Sequence, residues 1–348
     1  MTRALFAPDW RDGVPYQKLL GDALSEEGVS VNFLAGYRRV FPLWRALKNQ
    51  RQDVFHLHWP EAYYPRMSDG WDWFRQGRFP LDLALATRCL PLVLTAHNLH
   101  THNRPDERLE KWNTRSAMRR AAAVIAHSDA AKTRILEAFG ISPECCHVIP
   151  HGDLSVSLGT PIARETARQE LGLTGGRQCL IFGAVEPYKG IEEIIEFWRD
   201  TKPDAKLAIV GKPISPAYSR HIEQLAADVP NTSLHLRRMS DDELRLWLSA
   251  TDAVIFNYRT IFTSGAACLT RSWGVPLLIP WRLATVDLSE PHPLVFRFDK
   301  ENFALQLQAA LDTPPDFEAA REWRTLTNWN HIAQKTAAVY RRVLAAVA

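Results

Sequence analysis

Four short segments of this 348-residue chain carry side chains able to move a proton or hold a phosphate. The first is His56-Leu57-His58-Trp59-Pro60-Glu61, which closes an apolar run beginning at Val54. Pro60 has no N–H for a sheet and ends the strand there, so His58 and Glu61 stand at its rim. Imidazole and carboxylate are recognised general bases. Glu61 is the expected catalytic base, His58 is second, and Trp59 is expected to contact an acceptor. His56 and His58 share one face of the strand, so one of them satisfying a loop carbonyl is the plainer alternative. Asp12, in a loop over residues 8–13, is a third base candidate, and Gly13 beside it is assigned to the acceptor. The second segment is Thr95-Ala96-His97-Asn98-Leu99-His100-Thr101-His102. Its three histidines follow no standard zinc spacing and bring no carboxylate ligand. His97 and Asn98 are read instead as acceptor or leaving-group contacts, and no metal is expected.

The other two segments suit phosphate. In Phe182-Gly183-Ala184-Val185-Glu186-Pro187-Tyr188-Lys189-Gly190, Gly183 lets a ligand approach the backbone. Lys189 is expected at a helix start, where the dipole already favours anions. Glu186 and Tyr188 join the expected donor contacts, as do Gly211 and Lys212 at the end of the next apolar run. In Tyr258-Arg259-Thr260-Ile261-Phe262-Thr263-Ser264-Gly265, Thr263 or Ser264 is a good N-cap, and Gly265 opens the first turn to a ligand. A surface lysine beside an ordinary helix start, and a plain capped helix, are the structural alternatives. Two anion-ready helix starts in one half strengthen the reading as a diphosphate site.

Elements that would position these residues follow from periodicity. Strands are expected over residues 4–7, 29–34, 54–58, 91–96, 123–126 and 147–149, then over 179–182, 206–210, 233–236, 253–256 and 276–279. Helical patterns start near Pro15 and cover 191–199, 217–227, 241–249 and 265–273. Strands alternating with helices imply parallel sheets covered on both faces, and ligands of such sheets bind outside the carboxyl ends of the strands. The expected fold class is α/β, two Rossmann-like domains facing a cleft. An acceptor domain spans 1–155, a donor domain 156–316 and C-terminal helices 317–348, which either cap the second domain or cross back to the first. The hinge falls in the aperiodic stretch 152–161.

Composition narrows the function classes. Hydrophobic residues are 46% and charged residues 23%, ordinary for a soluble globular chain. A net charge of +3, from 42 basic and 39 acidic residues, argues against a nucleic-acid partner. Five cysteines with no CxxC pair indicate neither a disulfide framework nor a zinc knuckle, and suit a reducing cytoplasm. No window approaches the roughly 20 apolar residues of a membrane span, and MTRALFAPDW lacks a signal-peptide core. Residues 36–51 hold Arg38, Arg39, Arg45, Lys48 and Arg51 without one acid, interleaved with Tyr37, Phe41 and Trp44. Together with Tyr63, Tyr64, Trp71, Trp73 and Phe74 they form the surface expected to rest on the inner face of the cytoplasmic membrane.

In these segments the chain resembles the family-4 type of glycosyltransferases, which have the GT-B fold. Donor domains of that family show a Gly-containing strand end, a Lys-Gly pair and a later Gly-x-Pro. Here these are Phe182-Gly183, Lys189-Gly190 and Gly274-Val275-Pro276. Val148-Ile149-Pro150-His151-Gly152 is similar to the family's hinge. His56 to Glu61, His97 to Leu99, Pro187 to Gly190, Ser264-Gly265 and Pro280-Trp281 also resemble segments of bacterial exopolysaccharide β-mannosyltransferases. The resemblance implies a nucleotide-sugar donor as co-substrate, GDP-mannose first, with no further cofactor, and a lipid-linked or polysaccharide acceptor. Retaining members carry two Glu separated by seven residues, and an Arg near the Lys. Ala184 stands near that Arg position and residues 261–269 hold no carboxylate, so the implied transfer is inverting. No DxD-like pair follows any strand, so it is also metal-independent. Retaining transfer from another nucleotide sugar and sugar-nucleotide epimerisation are the alternatives. Nicotinamide chemistry lacks its GxGxxG fingerprint.

Overall fold

The computed structural model describes residues 1–13, 15–35, 40–48, 51–64, 70–99, 108–281 and 292–347. The chain divides into two compact units, Met1–Gly152 with Thr327–Ala348, and Asp153–Leu326.

Unit 1 is a parallel sheet in the order β2-β1-β3-β4-β5-β6. Its strands are β1 (Thr2–Ala7), β2 (Val29–Phe33), β3 (Val54–Leu57), β4 (Leu92–Thr95), β5 (Ala123–Ala126) and β6 (Cys146–Val148). Helices α1 (Pro15–Glu26), α2 (Pro42–Leu47), α3 (Gly70–Ala86), α4 (Arg108–Arg120) and α5 (Asp129–Phe139) connect them. Every residue of β3, β4 and β5 is buried, as a parallel sheet covered on both faces requires. Local chemistry sets the helix ends. Ser128 accepts from the Ala131 amide to start α5, and Gly140 in the left-handed region ends it. The α2 amides of Leu43 and Trp44 donate to the carboxylate of Asp82 on α3.

Unit 2 repeats the plan in the order β12-β11-β10-β7-β8-β9. Its strands are β7 (Gln178–Phe182), β8 (Lys206–Val210), β9 (Thr232–His235), β10 (Ala253–Ile255), β11 (Leu277–Pro280) and β12 (Val295–Phe298). Its helices are α6 (Arg164–Glu170), α7 (Ile191–Thr201), α8 (Pro216–Ala226), α9 (Asp241–Ala250), α10 (Gly265–Trp273), α11 (Phe303–Asp312) and α12 (Arg321–Leu326). A reciprocal Ser240–Glu243 box caps α9. The final helix, α13 (Trp329–Ala345), returns to unit 1 and packs on α1. Its fully buried Tyr340 meets His56 Nδ1 at 2.5 Å.

Several elements differ from the sequence expectation. α6 has one buried residue, Ala167, so its sequence carries no apolar stripe to reveal a helix. The edge strand β12 is four residues long and follows Pro291 and Pro293. Two aromatics expected on a membrane-facing surface are core. Tyr63 and Tyr64 are 3% and 5% exposed, and the Tyr64 ring packs edge-on to Phe79 while its hydroxyl meets Thr114 at 3.2 Å. Tyr37, Arg38 and Arg39 lie outside the described residues, as do the side chains of Trp71 and Trp73. No described helix is long and apolar enough to cross a membrane.

Where α13 returns, Trp329 lies so close to Gly152 that an added Cβ would sit 2.4 Å from its ring. Gly152→Ala is therefore expected to destabilise the protein by about 1–3 kcal/mol, the usual cost of overpacking. Chemical denaturation reads this, and an unchanged midpoint would show that the tail does not bear on the hinge glycine.

Candidate functional site

Four neighbouring strands of unit 1 put a histidine just beyond their carboxyl ends: His58 after β3, His97 after β4, His127 after β5 and His151 after β6. Parallel pairing aligns those ends, and Tyr16 of α1 packs its ring against all four imidazoles, with centroids 4.9–5.8 Å apart. The loop after β1 completes the layer. Gln17 accepts from the Trp10 amide at 2.9 Å and donates to the Pro8 carbonyl at 2.7 Å. Trp10 then stacks on Trp59, which stacks on His97 at 4.3 Å and 14°. Of the acceptor residues expected from sequence, Trp59, His97 and Asn98 thus share this layer with the two leading bases. Asp12 and Gly13 are exposed on the loop.

The imidazoles form a directed chain. His127 Nδ1 lies 3.0 Å from the Ile149 carbonyl, which can only accept, so Nδ1 carries the proton. Burial lowers the pKa of His127 to about 3 and those of His58 and His97 well below the ordinary value, so all three are neutral near pH 7. A neutral His127 leaves Nε2 as an acceptor, and His97 Nδ1 donates to it at 3.4 Å. The same logic makes His97 Nε2 accept from His58 Nδ1, again at 3.4 Å. His58 Nε2 ends the chain as a buried lone pair with no partner among the described residues. Both ring nitrogens of His97 are committed, which moves the open acceptor of this cluster to His58. His56 is held separately by Tyr340 and by Thr95 at 2.8 Å. Its partners are two buried side-chain hydroxyls, where the plainer sequence reading expects a loop carbonyl.

Glu61 sits in a 3-10 turn, Pro60–Tyr63, and accepts from Asn98 Nδ2 at 3.2 Å. Burial is the main cause that raises its pKa to about 7, and the charge of Glu110 adds to the rise. A carboxylate tuned to the working pH suits general-base work.

In unit 2, β7 and β8 end on a glycine pair. Gly183 has φ +90° and Gly211 φ +151°, and a Cβ on Gly211 would fall 1.8 Å from the Gly183 carbonyl oxygen. The two strand ends can therefore pass back to back, and the Lys212 carbonyl accepts from the Val185 amide. Lys189 departs from expectation. It belongs to a 3-10 turn, Pro187–Lys189, and α7 begins beyond Gly190, whose φ is +60°. Its ammonium turns back to donate to the Phe182 carbonyl at 3.0 Å and lies over the Phe256 and Tyr258 rings. Burial lowers its pKa to about 8, against the opposing charge of Glu186. The first turn of α7 carries Glu192 and Glu193, so that helix start is not anion-ready.

α10 keeps the expected arrangement. Ser264 Oγ accepts from Ala267 N at 3.1 Å and meets Tyr258 Oη at 2.7 Å. The amides of Gly265 and Ala266 remain at a helix terminus that carries no acid. Tyr188 stacks on Tyr258 at 5.9 Å and 8°, and the Thr263 hydroxyl is buried without a partner among the described residues. Lys189, Tyr188 and Ser264 thus meet around Tyr258.

Tyr16, Gln17 and His127 were not singled out by sequence, and His151 entered only as part of the hinge segment 148–152. The strand-end rule that located His58 and His97 applies equally to His127 and His151. Among the described residues no group of three or more His, Cys, Asp or Glu could hold a metal ion, and His100 and His102 lie outside them.

Known proteins resemble this chain in sequence and in fold. The family profile described as Glycosyltransferase Family 4 matches residues 4–153. The chain is 30% identical over 302 residues to the GDP-mannose:glycolipid 4-beta-D-mannosyltransferase of Xanthomonas campestris pv. campestris, covering 86% of this chain and 79% of that one. It is 26% identical to the MMP alpha-(1->4)-mannosyltransferase of Mycolicibacterium hassiacum, over 76% and 69% of the two chains. The sucrose-phosphate synthase structure from Thermosynechococcus elongatus superposes with a TM-score of 0.75 at 17% identity, over 99% of this chain and 100% of that one.

The chain of imidazoles has a direct spectroscopic signature. Long-range nitrogen–proton NMR is expected to find His58, His97 and His127 all protonated at Nδ1, with a bare Nε2. His127→Phe, which unties the chain from the Ile149 carbonyl, is expected to mix the tautomers of His97. An Nε2-protonated His97 in the parent protein would refute the assigned direction.

Proposed function

The chain belongs to the GT-B glycosyltransferases of the family-4 type, and we propose that it transfers mannose from GDP-mannose to a glycolipid acceptor, inverting the anomeric carbon without a required metal. Mannose and the glycolipid come from the named substrates of the Xanthomonas relative. Glu61 carries the mechanism. Its carboxylate, steered by Asn98 and tuned to about pH 7, takes the proton as an acceptor hydroxyl attacks the anomeric carbon. Trp59 and the imidazole layer orient the acceptor, with the buried His58 acting through His97. Unit 2 holds the donor. The Lys189 ammonium and the α10 amides stabilise the departing nucleoside diphosphate, the task a metal performs elsewhere.

Retention is the second reading, because the Mycolicibacterium relative is named for an α-linked product. Against it stands the absence of any carboxylate over residues 261–269. The protein is read as peripheral on the cytoplasmic face of the membrane. Among the described residues, Arg45, Lys48, Arg51 and Phe74 are the exposed members of the basic, aromatic surface. Loss of flotation with anionic vesicles is expected when Arg45 and Lys48 become Gln together. Equal recovery with and without anionic lipid sinks the membrane reading.

Incubation with GDP-mannose and glycolipid, followed by NMR of the product anomer, tests the transfer. A β-mannoside formed in EDTA supports the proposal. An α-mannoside, a manganese requirement or an epimerised donor turns it down. Glu61→Gln is expected to lower turnover by roughly 10²–10⁴-fold with donor affinity near normal. The pH profile of kcat/KM is expected to be bell-shaped. It rises as Glu61 loses its proton through about pH 7 and falls as Lys189 loses its charge through about pH 8. Lys189→Ala should weaken donor binding and remove the alkaline limb, while Glu61→Gln removes the acid limb.

A further inference from the structure

The edge strand β6 and one stripe of α13 border a cavity of about 400 Å³ in unit 1, away from the layer described above. Lys335, Ala338, Val339 and Arg342 follow the i, i+3, i+4, i+7 spacing, so a single helix face lines it. Lys335 and Arg342 therefore stand about 10 Å apart along the axis. Lys132 of α5 and His147 of β6 bring its lining to four basic groups, alongside the apolar Ile149 and Val339.

No carboxylate lines the cavity. Several cations elsewhere are paired. Arg3 is bonded to Asp53, Arg164 and Arg168 share Asp252, and Arg259 bridges Glu192 and Glu193. Around this cavity, the side chains of Lys132, His147, Lys335 and Arg342 have no ion-pair or hydrogen-bond partner among the described residues. Lys132, His147 and Lys335 are also half-buried, so water only partly screens them. Burial first, then the charges of Arg342 and Lys132, lower the His147 pKa below its ordinary value. Like charges gathered in a concave, partly desolvated place repel each other until an anion arrives.

We propose that this cavity is an anion site that holds a phosphate group, either free in solution or carried as a lipid headgroup. Arg342 supplies a planar fork matched to phosphate oxygens, and the two lysines supply point charges. Only Ile149 is common to the cavity and the histidine chain, where its carbonyl faces His127. The site is therefore separate from the proposed base and donor contacts, and it stands whether or not the proposed transfer is correct.

The full chain can be titrated at low ionic strength with inorganic phosphate, and separately with monomeric dihexanoyl phosphatidylglycerol, while NMR follows the His147 ring. At least one probe is expected to give a saturable shift and raise the His147 titration midpoint, because a bound anion offsets the two neighbouring cations. Lys335→Gln combined with Arg342→Gln is expected to weaken binding roughly tenfold or more. That variant should melt no lower than the parent, since removing like charges relieves repulsion, so lost binding reads the site and not the fold. A response to phosphate alone assigns a soluble ligand, and a stronger response to the lipid assigns a headgroup. A His147 signal that neither probe moves, or full binding by the double variant, overturns the proposal.

Discussion

The hydrogen bond from His127 Nδ1 to the Ile149 carbonyl gives unit 1 its chemical direction. A carbonyl accepts only, so that one contact decides which nitrogen of each successive imidazole bears a proton. Without it, His58, His97 and His127 would be three buried rings able to point their donors either way. With it, every proton in the row lies on the Ile149 side and one lone pair is left at His58. Packing supports the electrostatics. Tyr16 touches four imidazoles, and the Trp10–Trp59–His97 stack keeps His97 in the plane its two contacts require.

Burial acts oppositely on the two kinds of group assembled here. It keeps the histidines neutral, which lets them work as a hydrogen-bonding row and withholds them from charge storage. The same loss of water raises the pKa of Glu61 toward neutrality and lowers that of Lys189 from the other side. A group near its own pKa at working pH exchanges a proton cheaply. The carboxylate and the ammonium therefore come close to switching in the same pH range, although they belong to different units and receive different tasks.

Unit 2 depends on backbone as much as on side chains. Gly183 and Gly211 let two strand ends cross without a Cβ between them, and the space beside Gly183 is where the Lys189 ammonium rests. Gly190 ends the turn in a left-handed conformation, and α7 starts two residues beyond the lysine. These glycines aim Lys189 at the end of the sheet and away from the helix start.

Much of this fold was legible in the sequence because periodicity and strand-end chemistry are local. Residues 123–126, 206–210 and 265–273 form the strands and helix their patterns indicate, while β3 ends at Leu57, before Pro60, which opens a 3-10 turn instead. α6, polar nearly all round, had no such pattern to offer. Only tertiary structure decided which polar groups meet. His58 reaches His97 across 39 residues, His97 reaches His127 across 30, and His56 meets Tyr340 across 284. The same holds for burial. Tyr63 and Tyr64 read as interfacial aromatics until packing placed them in the core, and the tuning of Glu61 follows from surroundings contributed by other elements. Local pattern fixes what a segment becomes, whereas desolvation and partner choice depend on groups that chain folding alone brings within a few ångströms.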